Sequence, residues 1–249
     1  MTRHLNQSGL LSQETMDNWC IGIIGVGAIG SMVAMALTKM GFKHLVMWDP
    51  DKIEEHNIAN QMYPVESVGK RKAIAARELV KQFSGETVIS LATPATGKKT
   101  LDYLRSAYPD KAQMVIFAVD SLDVRKKLAD ELVKGWDVSV VDARMGAKTY
   151  RVLAFNTSEA QQVTDYLRTL VPDADAVQEP CGQKSIIYTV LGVAAEVCSF
   201  VHKIVTPSEL MPKPVTFDYG CGMRLQRRII TDLIRVPDAA SATDVPTPL

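Results

Sequence analysis

Ile21-Gly22-Ile23-Ile24-Gly25-Val26-Gly27-Ala28-Ile29-Gly30 opens the stretch on which the reading of this 249-residue chain turns. An apolar run ends in glycines, and apolar residues then recur at helical steps (Met32, Val33, Leu37, Met40) until Gly41. A second apolar run, Leu45-Val46-Met47-Trp48, delivers Asp49. Strand, glycine turn, helix, strand and acid, in that order, make a nucleotide-binding βαβ unit of the dinucleotide type. Gly25 is read as the tight turn, Gly27 as the place where backbone approaches a phosphate, and Gly30 as the contact that lets helix pack on strand. The helix starting at Ala28 and Ile29 presents unpaired N–H groups and a positive dipole end to an anion. Asp49, at the end of the next strand, can accept both ribose hydroxyl protons. The glycine pattern alone is a weak signal and does not name the nucleotide; a merely structural turn is the alternative. Its placement between the two strands makes the reading specific.

Working outward, composition bounds the rest. The chain is 47% hydrophobic and carries 28 basic and 28 acidic residues, so no global field draws it to nucleic acid or a membrane surface. The first residues lack the layout of a secretory signal, and the longest apolar stretch, 186–205, contains Glu196, His202 and Lys203, which suits a buried core helix better than a span. Cys20, Cys181, Cys198 and Cys221 form no Cys-x-x-Cys pair, so neither a disulfide scaffold nor a zinc site is indicated; a cytoplasmic setting is expected. Cys20 and Cys198 lie in apolar stretches and are expected to be buried.

A polar arm, 1–18, precedes the first strand. After Asp49 comes a long polar connection through Pro64, far longer than most strand-to-helix links, which invites a functional reading. A helix then runs from about Lys72 to Phe83, a third strand covers 87–91, and Leu101, Leu104 and Ala107 mark another helix. A buried strand, 114–119, leads to Asp120. The next helix begins at Ser121 with Val124, Leu128 and Leu132 facing inward, and a further strand closes at Asp142. Asp123 and Asp142 read as cap or loop residues. Beyond them follow a strand over 149–155, a helix over 158–170, a crossover over 171–184, the apolar helix, and strands over 215–219 and 223–230. The expected fold is α/β: a doubly wound, Rossmann-like, mostly parallel sheet extended by antiparallel strands in its C-terminal part. One domain is expected over 1–236, with a disordered tail over 237–249.

From Asp49 onward, Asp49-x-Asp51, Asn57-x-x-Asn60-Gln61 and Val68-Gly69-x-x-Lys72 resemble the signature of the ThiF/MoeB/HesA family, bacterial relatives of the ubiquitin-activating enzymes. Val119-Asp120-Ser121-x-x-Val124-Arg125 is similar to the family's Asp-Asn-x-x-x-Arg element, and Cys181, eleven residues before Gly192, resembles its crossover cysteine. The four ordered blocks cover roughly 19–205. The resemblance implies ATP- and Mg²⁺-dependent adenylylation of the C-terminal carboxylate of a ubiquitin-like protein or peptide, by a homodimer. It implies roles in turn: Gly25, Gly27, Ala28, Ile29 and Gly30 beside the nucleotide, Asp49 and Asp51 at the ribose end, and Asn57, Asn60 and Gln61 as neutral hydrogen-bonding groups. Lys72 would lie on the phosphates, Asp120 on Mg²⁺, and Cys181 would be the thiol that takes the acyl group in some members.

The chain departs from the pattern in three places. The arginine before Gln is Asn60; an N-terminal arginine supplied across the dimer would align near Asn6, with Arg3 close by; and the paired zinc cysteines are absent. Lys70 and Arg71 are candidate substitutes. Two other functions stay open on the sequence: a catalytically degenerate nucleotide-binding scaffold, and an NAD-dependent oxidoreductase, for which the Asn57–Lys72 pattern has no use.

Overall fold

A computed structural model describes residues 3–133, 137–175, 185–206 and, as backbone, 216–220. The first half alternates as the apolar periodicity requires: α1 (Gln13–Asp17), β1 (Trp19–Ile24), α2 (Ala28–Met40), β2 (Leu45–Trp48), α3 (Lys72–Ser84), β3 (Ile89–Leu91), α4 (Gly97–Ala107), β4 (Ala112–Phe117) and α5 (Leu122–Leu132). The second half is β5 (Ser139–Met145), β6 (Thr149–Asn156), α6 (Ala160–Arg168), α7 (Ile187–Val205) and β7 (Thr216–Gly220). The strands form one sheet in the order β3-β2-β1-β4-β5-β6-β7, parallel from β3 to β5 and antiparallel from β5 to β7. This is the doubly wound sheet with an antiparallel extension that the sequence implied.

Both faces of the sheet are covered, so the central strands are apolar on both sides. On β1, Ile21 and Ile23 turn to the layer holding α2, α3 and α7, while Cys20 and Ile24 turn to α4, α5 and α6. The helix after β1 lies on the first face and the helix after β4 on the second. The chain therefore reverses its winding between these neighbours, and a crevice opens at their carboxyl ends. Among the described helices α7 is long and apolar enough to cross a membrane by length and composition alone. It packs on α2, β5 and β6 and buries Val190, Val193, Val197 and Val201, as a core helix does. The second C-terminal strand (223–230) and the tail (237–249) read from the sequence lie outside the described residues.

Two expectations are corrected together. Asp142 neither closes β5 nor caps a helix: it sits inside the strand, fully buried, and forms an ion pair with Arg125. Arg144 Nε and the Tyr166 hydroxyl both reach Asp142 Oδ2, at 2.7 and 3.1 Å. Arg125 thus takes the inward place on the first turn of α5, and Val124, expected there, is 42% exposed. The guanidinium of Arg125 also donates to the Val119 and Ala143 carbonyls, joining the ends of β4 and β5. Burial lowers Arg125 to about 10, still high enough that it is charged at neutral pH. Removing one partner strands the other charge in the interior. Arg125→Ala should therefore destabilise the fold by about 3–5 kcal/mol, while the double variant with Asp142→Ala should lose less than the sum of the two single losses, as urea denaturation would read.

Candidate functional site

The glycine turn is built by close approaches. Gly25 has φ +86°, and a Cβ there would lie 2.8 Å from the Ala118 carbonyl oxygen on the segment leaving β4. A Cβ at Gly30 would overlap the Gly25 carbonyl oxygen, so helix and turn touch through bare backbone. Gly27 is the N-cap of α2, and its Cβ position is open, the nearest atom being Gln61 Nε2 at 3.9 Å. With no side chain capping it, the first turn of α2 keeps its N–H groups facing the crevice.

Asp49 is buried at the end of β2, and its two oxygens accept the N–H groups of Val26 (2.8 Å) and Asp51 (2.9 Å). Burial raises its pKa, and these hydrogen bonds with nearby Lys72 oppose the rise. Each oxygen retains a lone pair for a ribose hydroxyl.

The long connection is a closed loop. Residues Lys52 and Arg71 bridge in antiparallel fashion, with the Ile53 N–H on the Lys70 carbonyl at 2.9 Å, so the loop returns α3 to the end of β2. Lys72 heads α3; its Nζ is 3.1 Å from Asp51 Oδ2, the lysine side chain 12% and the aspartate 64% exposed. Asn57 Oδ1 accepts the Glu54 N–H at 3.0 Å and so shapes a 3-10 turn, Glu55–Asn57, rather than facing a ligand by that atom. Asn60 Nδ2 donates to Ser185 Oγ, tying the loop to the segment that leads into α7. Asn60 Oδ1 and Gln61 Oε1 are buried without a hydrogen-bond partner among the described residues. Native interiors rarely leave such atoms unpaired, and the Gln61 amide borders the open space over Gly27. An amide can turn over, so each side chain can offer either an acceptor or a donor. A ligand with ribose hydroxyls and phosphate oxygens suits both.

Asp120 is exposed, three residues beyond β4, whose outgoing segment lies against Gly25. Beside it, Ser121 caps α5 and donates to Asp173 Oδ2 at 2.6 Å, while the Leu122 N–H donates to Asp173 Oδ1 at 2.7 Å. Asp173 comes from the turn at the start of the crossover, so one carboxylate fastens that segment to the N-terminal end of α5.

The structure thus brings Gly25, Gly27, Ala28, Ile29, Gly30, Asp49, Asp51, Asn60, Gln61, Lys72 and Asp120 to the carboxyl ends of β1, β2 and β4. Cys181 lies outside the described residues. Arg3, Lys70 and Arg71 each have a partner within the subunit. Arg3 donates to the Ser84 carbonyl at the far end of α3 from Lys72, Lys70 pairs with Glu78 at 3.4 Å, and Arg71 donates to the Pro50 carbonyl. The turn containing Asn6 lies by the end of α2, where Gln7 reaches the Met40 carbonyl. Cys20 and Cys198 are buried, which pushes both thiols to about 12, so neither is an activated nucleophile.

Sequence reasoning missed Tyr63. Its buried hydroxyl donates to the Val26 carbonyl and lies 3.3 Å from the Lys72 carbonyl. The available signal was a lone phenol in an otherwise polar loop, two residues after Gln61.

Comparison with known proteins identifies the family and the fold. The ThiF family matches residues 1–218. Ubiquitin-like modifier-activating enzyme 5 of Caenorhabditis elegans is 26% identical over 129 residues, 49% of this chain and 31% of that protein. The NEDD8-activating enzyme E1 catalytic subunit of Arabidopsis thaliana is 28% identical over 118 residues, 47% of this chain and 25% of that protein. The chain therefore spans about a third or less of these relatives. Among solved structures, PaaA matches with a TM-score of 0.65 at 17% identity, covering 92% of this chain and 69% of that one. E. coli MccB, crystallised with AMPCPP and MccA, matches with a TM-score of 0.64 at 17% identity, covering 87% and 65%. At such identities the structures share the fold.

The Asp173 contact carries a pH signature. Hydrogen bonds from Ser121 and Leu122 hold its carboxyl below the usual range. A depressed carboxyl contributes stability above its unfolded value of about 4, and that contribution disappears as pH falls through the lower folded value. Asp173→Asn should therefore flatten the loss of stability on acidification below about pH 4, measured as urea midpoints from pH 7 to pH 2.5. An unchanged profile would mean the contact is not held in solution.

Proposed function

Because this chain belongs to the ThiF family, we propose that it binds ATP with Mg²⁺ in the crevice between β1 and β4. There it adenylylates the C-terminal carboxylate of a ubiquitin-like protein or peptide. The observation that carries the nucleotide part is the uncapped, glycine-lined start of α2 with the Gln61 amide beside it, its oxygen buried and unpaired among the described residues. Family membership supports the adenylylation. A homodimer in the cytoplasm belongs to the same reading.

In this reading a carboxylate oxygen of the acyl substrate bonds to the α-phosphorus, and the bond from that phosphorus to the bridging oxygen breaks. Pyrophosphate leaves with the electron pair. Neither partner needs deprotonating at neutral pH, so the site has to align the reactants and neutralise charge. Asp49 holds the ribose, the N–H groups of Gly27, Ala28 and Ile29 face the phosphates, and Lys72 exchanges Asp51 for phosphate oxygens. Asp120 would hold Mg²⁺, which supplies further neutralisation on those oxygens.

A specific observation favours the alternative of a nucleotide-binding, non-catalytic relative. Asn60 stands where the family has arginine and bonds Ser185, and Arg3 is bound at the far end of α3. Pyrophosphate exchange with candidate acyl peptides separates the two readings.

Isothermal titration tests the site itself. ATP with Mg²⁺ should bind and NAD⁺ should not. Lys72→Ala should weaken ATP ten- to a hundredfold, the loss of about 1.5–3 kcal/mol that a charged hydrogen bond contributes. Asp120→Ala should weaken it only when Mg²⁺ is present. A wild-type protein that fails to bind ATP would sink the proposal.

A further inference from the structure

We infer that Tyr63 is a positioning residue for phosphate recognition: its hydroxyl sets the plane of the Val26–Gly27 peptide and thereby aims the Gly27 N–H at a bound phosphate. The inference rests on the nucleotide reading of the crevice and adds to it a residue outside the sequence pattern of that site.

The geometry is as follows. The Val26 N–H is held by Asp49 Oδ2 at 2.8 Å, and the Val26 carbonyl is held by the Tyr63 hydroxyl. Both anchors are buried. The peptide is trans, so its carbonyl and its N–H point to opposite sides. Drawing the Val26 carbonyl towards the buried phenol turns the Gly27 N–H away from it. That N–H makes no backbone hydrogen bond among the described residues. Glycine at 27 adds no side chain over it, and the nearest described atom to the Cβ position is Gln61 Nε2 at 3.9 Å.

The same hydroxyl lies 3.3 Å from the carbonyl of Lys72. A phenol has one proton to donate, and the closer Val26 carbonyl receives it. The Lys72 carbonyl lies beside the same hydroxyl, so one side chain sits between the two elements that would contact the same phosphates: the glycine turn and the first residue of α3. Burial raises the phenol above its ordinary value, so it is a protonated donor at neutral pH. Phenylalanine would fill the same volume and leave the Val26 carbonyl without its donor.

The test compares Tyr63→Phe with the wild type in two measurements. In the nucleotide-free protein, hydrogen–deuterium exchange over residues 25–29 should be faster in the variant, while exchange in β4 and α7 stays as it was. By titration the variant should lose roughly tenfold in ATP affinity, the effect of one hydrogen bond, and keep its affinity for adenosine, so that the preference for the phosphorylated ligand falls. Met62→Leu, a neighbouring partly buried change, serves as the control for general loosening and should leave that preference unaltered. Equal losses for ATP and adenosine, or a Tyr63→Phe protein with wild-type exchange and wild-type ATP affinity, would overturn the inference. A wild type that binds no ATP would instead overturn the proposed function, and the exchange measurement would still judge whether Tyr63 holds the turn.

Discussion

The buried carboxylate of Asp49 accepts one backbone N–H from the glycine turn and one from the segment that leaves β2, and much of the site depends on that double contact. A carboxylate taken out of water must find donors. The donors available are the two peptides whose directions decide where the turn opens and where the long loop starts. Once they are fixed, the close approach of Gly30 to the Gly25 carbonyl and the return of the loop at Lys52 and Arg71 bring α2 and α3 to the same end of the sheet. The local electrostatic requirement and the shape of the crevice are then one arrangement.

The second frame lies on the other side of the crevice and is also electrostatic. Arg125 and Asp142, both withdrawn from solvent, lock the first turn of α5 to the middle of β5, and the guanidinium gathers the carbonyls beyond β4. A buried pair of this kind contributes little net stability relative to an apolar substitute, but it penalises every other register of α5 against the sheet. Asp120 projects from the segment so held, and Asp173 fastens the start of the crossover to the same helix end. Stability and the placing of the proposed metal ligand are therefore linked through α5.

The parts of this structure that follow periodicity were legible in the sequence. The apolar run, glycines and helical steps from Ile21 to Met40 admit one local structure, and the alternation of strands and helices gives the doubly wound order. Side-chain partnerships across distant segments were not. Periodicity assigns Val124 to the core because it is apolar; only the buried Asp142, seventeen residues on and on another strand, makes Arg125 the better inward residue. Asn60 reads as a candidate ligand residue of the loop, and its bond to Ser185, far along the chain, has no trace in the sequence. Tyr63 was invisible for the same reason: a phenol in a polar loop gains its meaning from a carbonyl in the turn before the loop.

The charge balance of the crevice gives the turn more to do than a fold of this kind requires. Lys72 is a cation at the phosphate end, and in the resting structure it is paired with Asp51. That pair is mostly open to water on the aspartate side, so exchanging the carboxylate for phosphate costs little, because exposed ion pairs contribute only about 0–1 kcal/mol. The pairing therefore holds the ammonium in place without blocking it. Asn60 offers a neutral amide that donates to Ser185. In the proposed reading the phosphate charge falls to Lys72, to a metal held at Asp120 and to backbone N–H groups. The N–H dipoles are weaker than an ion and act only along their axes, so their worth depends steeply on aim. A site read in this way depends on the orientation of its peptides, and hence on the two side chains, Asp49 and Tyr63, that hold the peptides on either side of Val26.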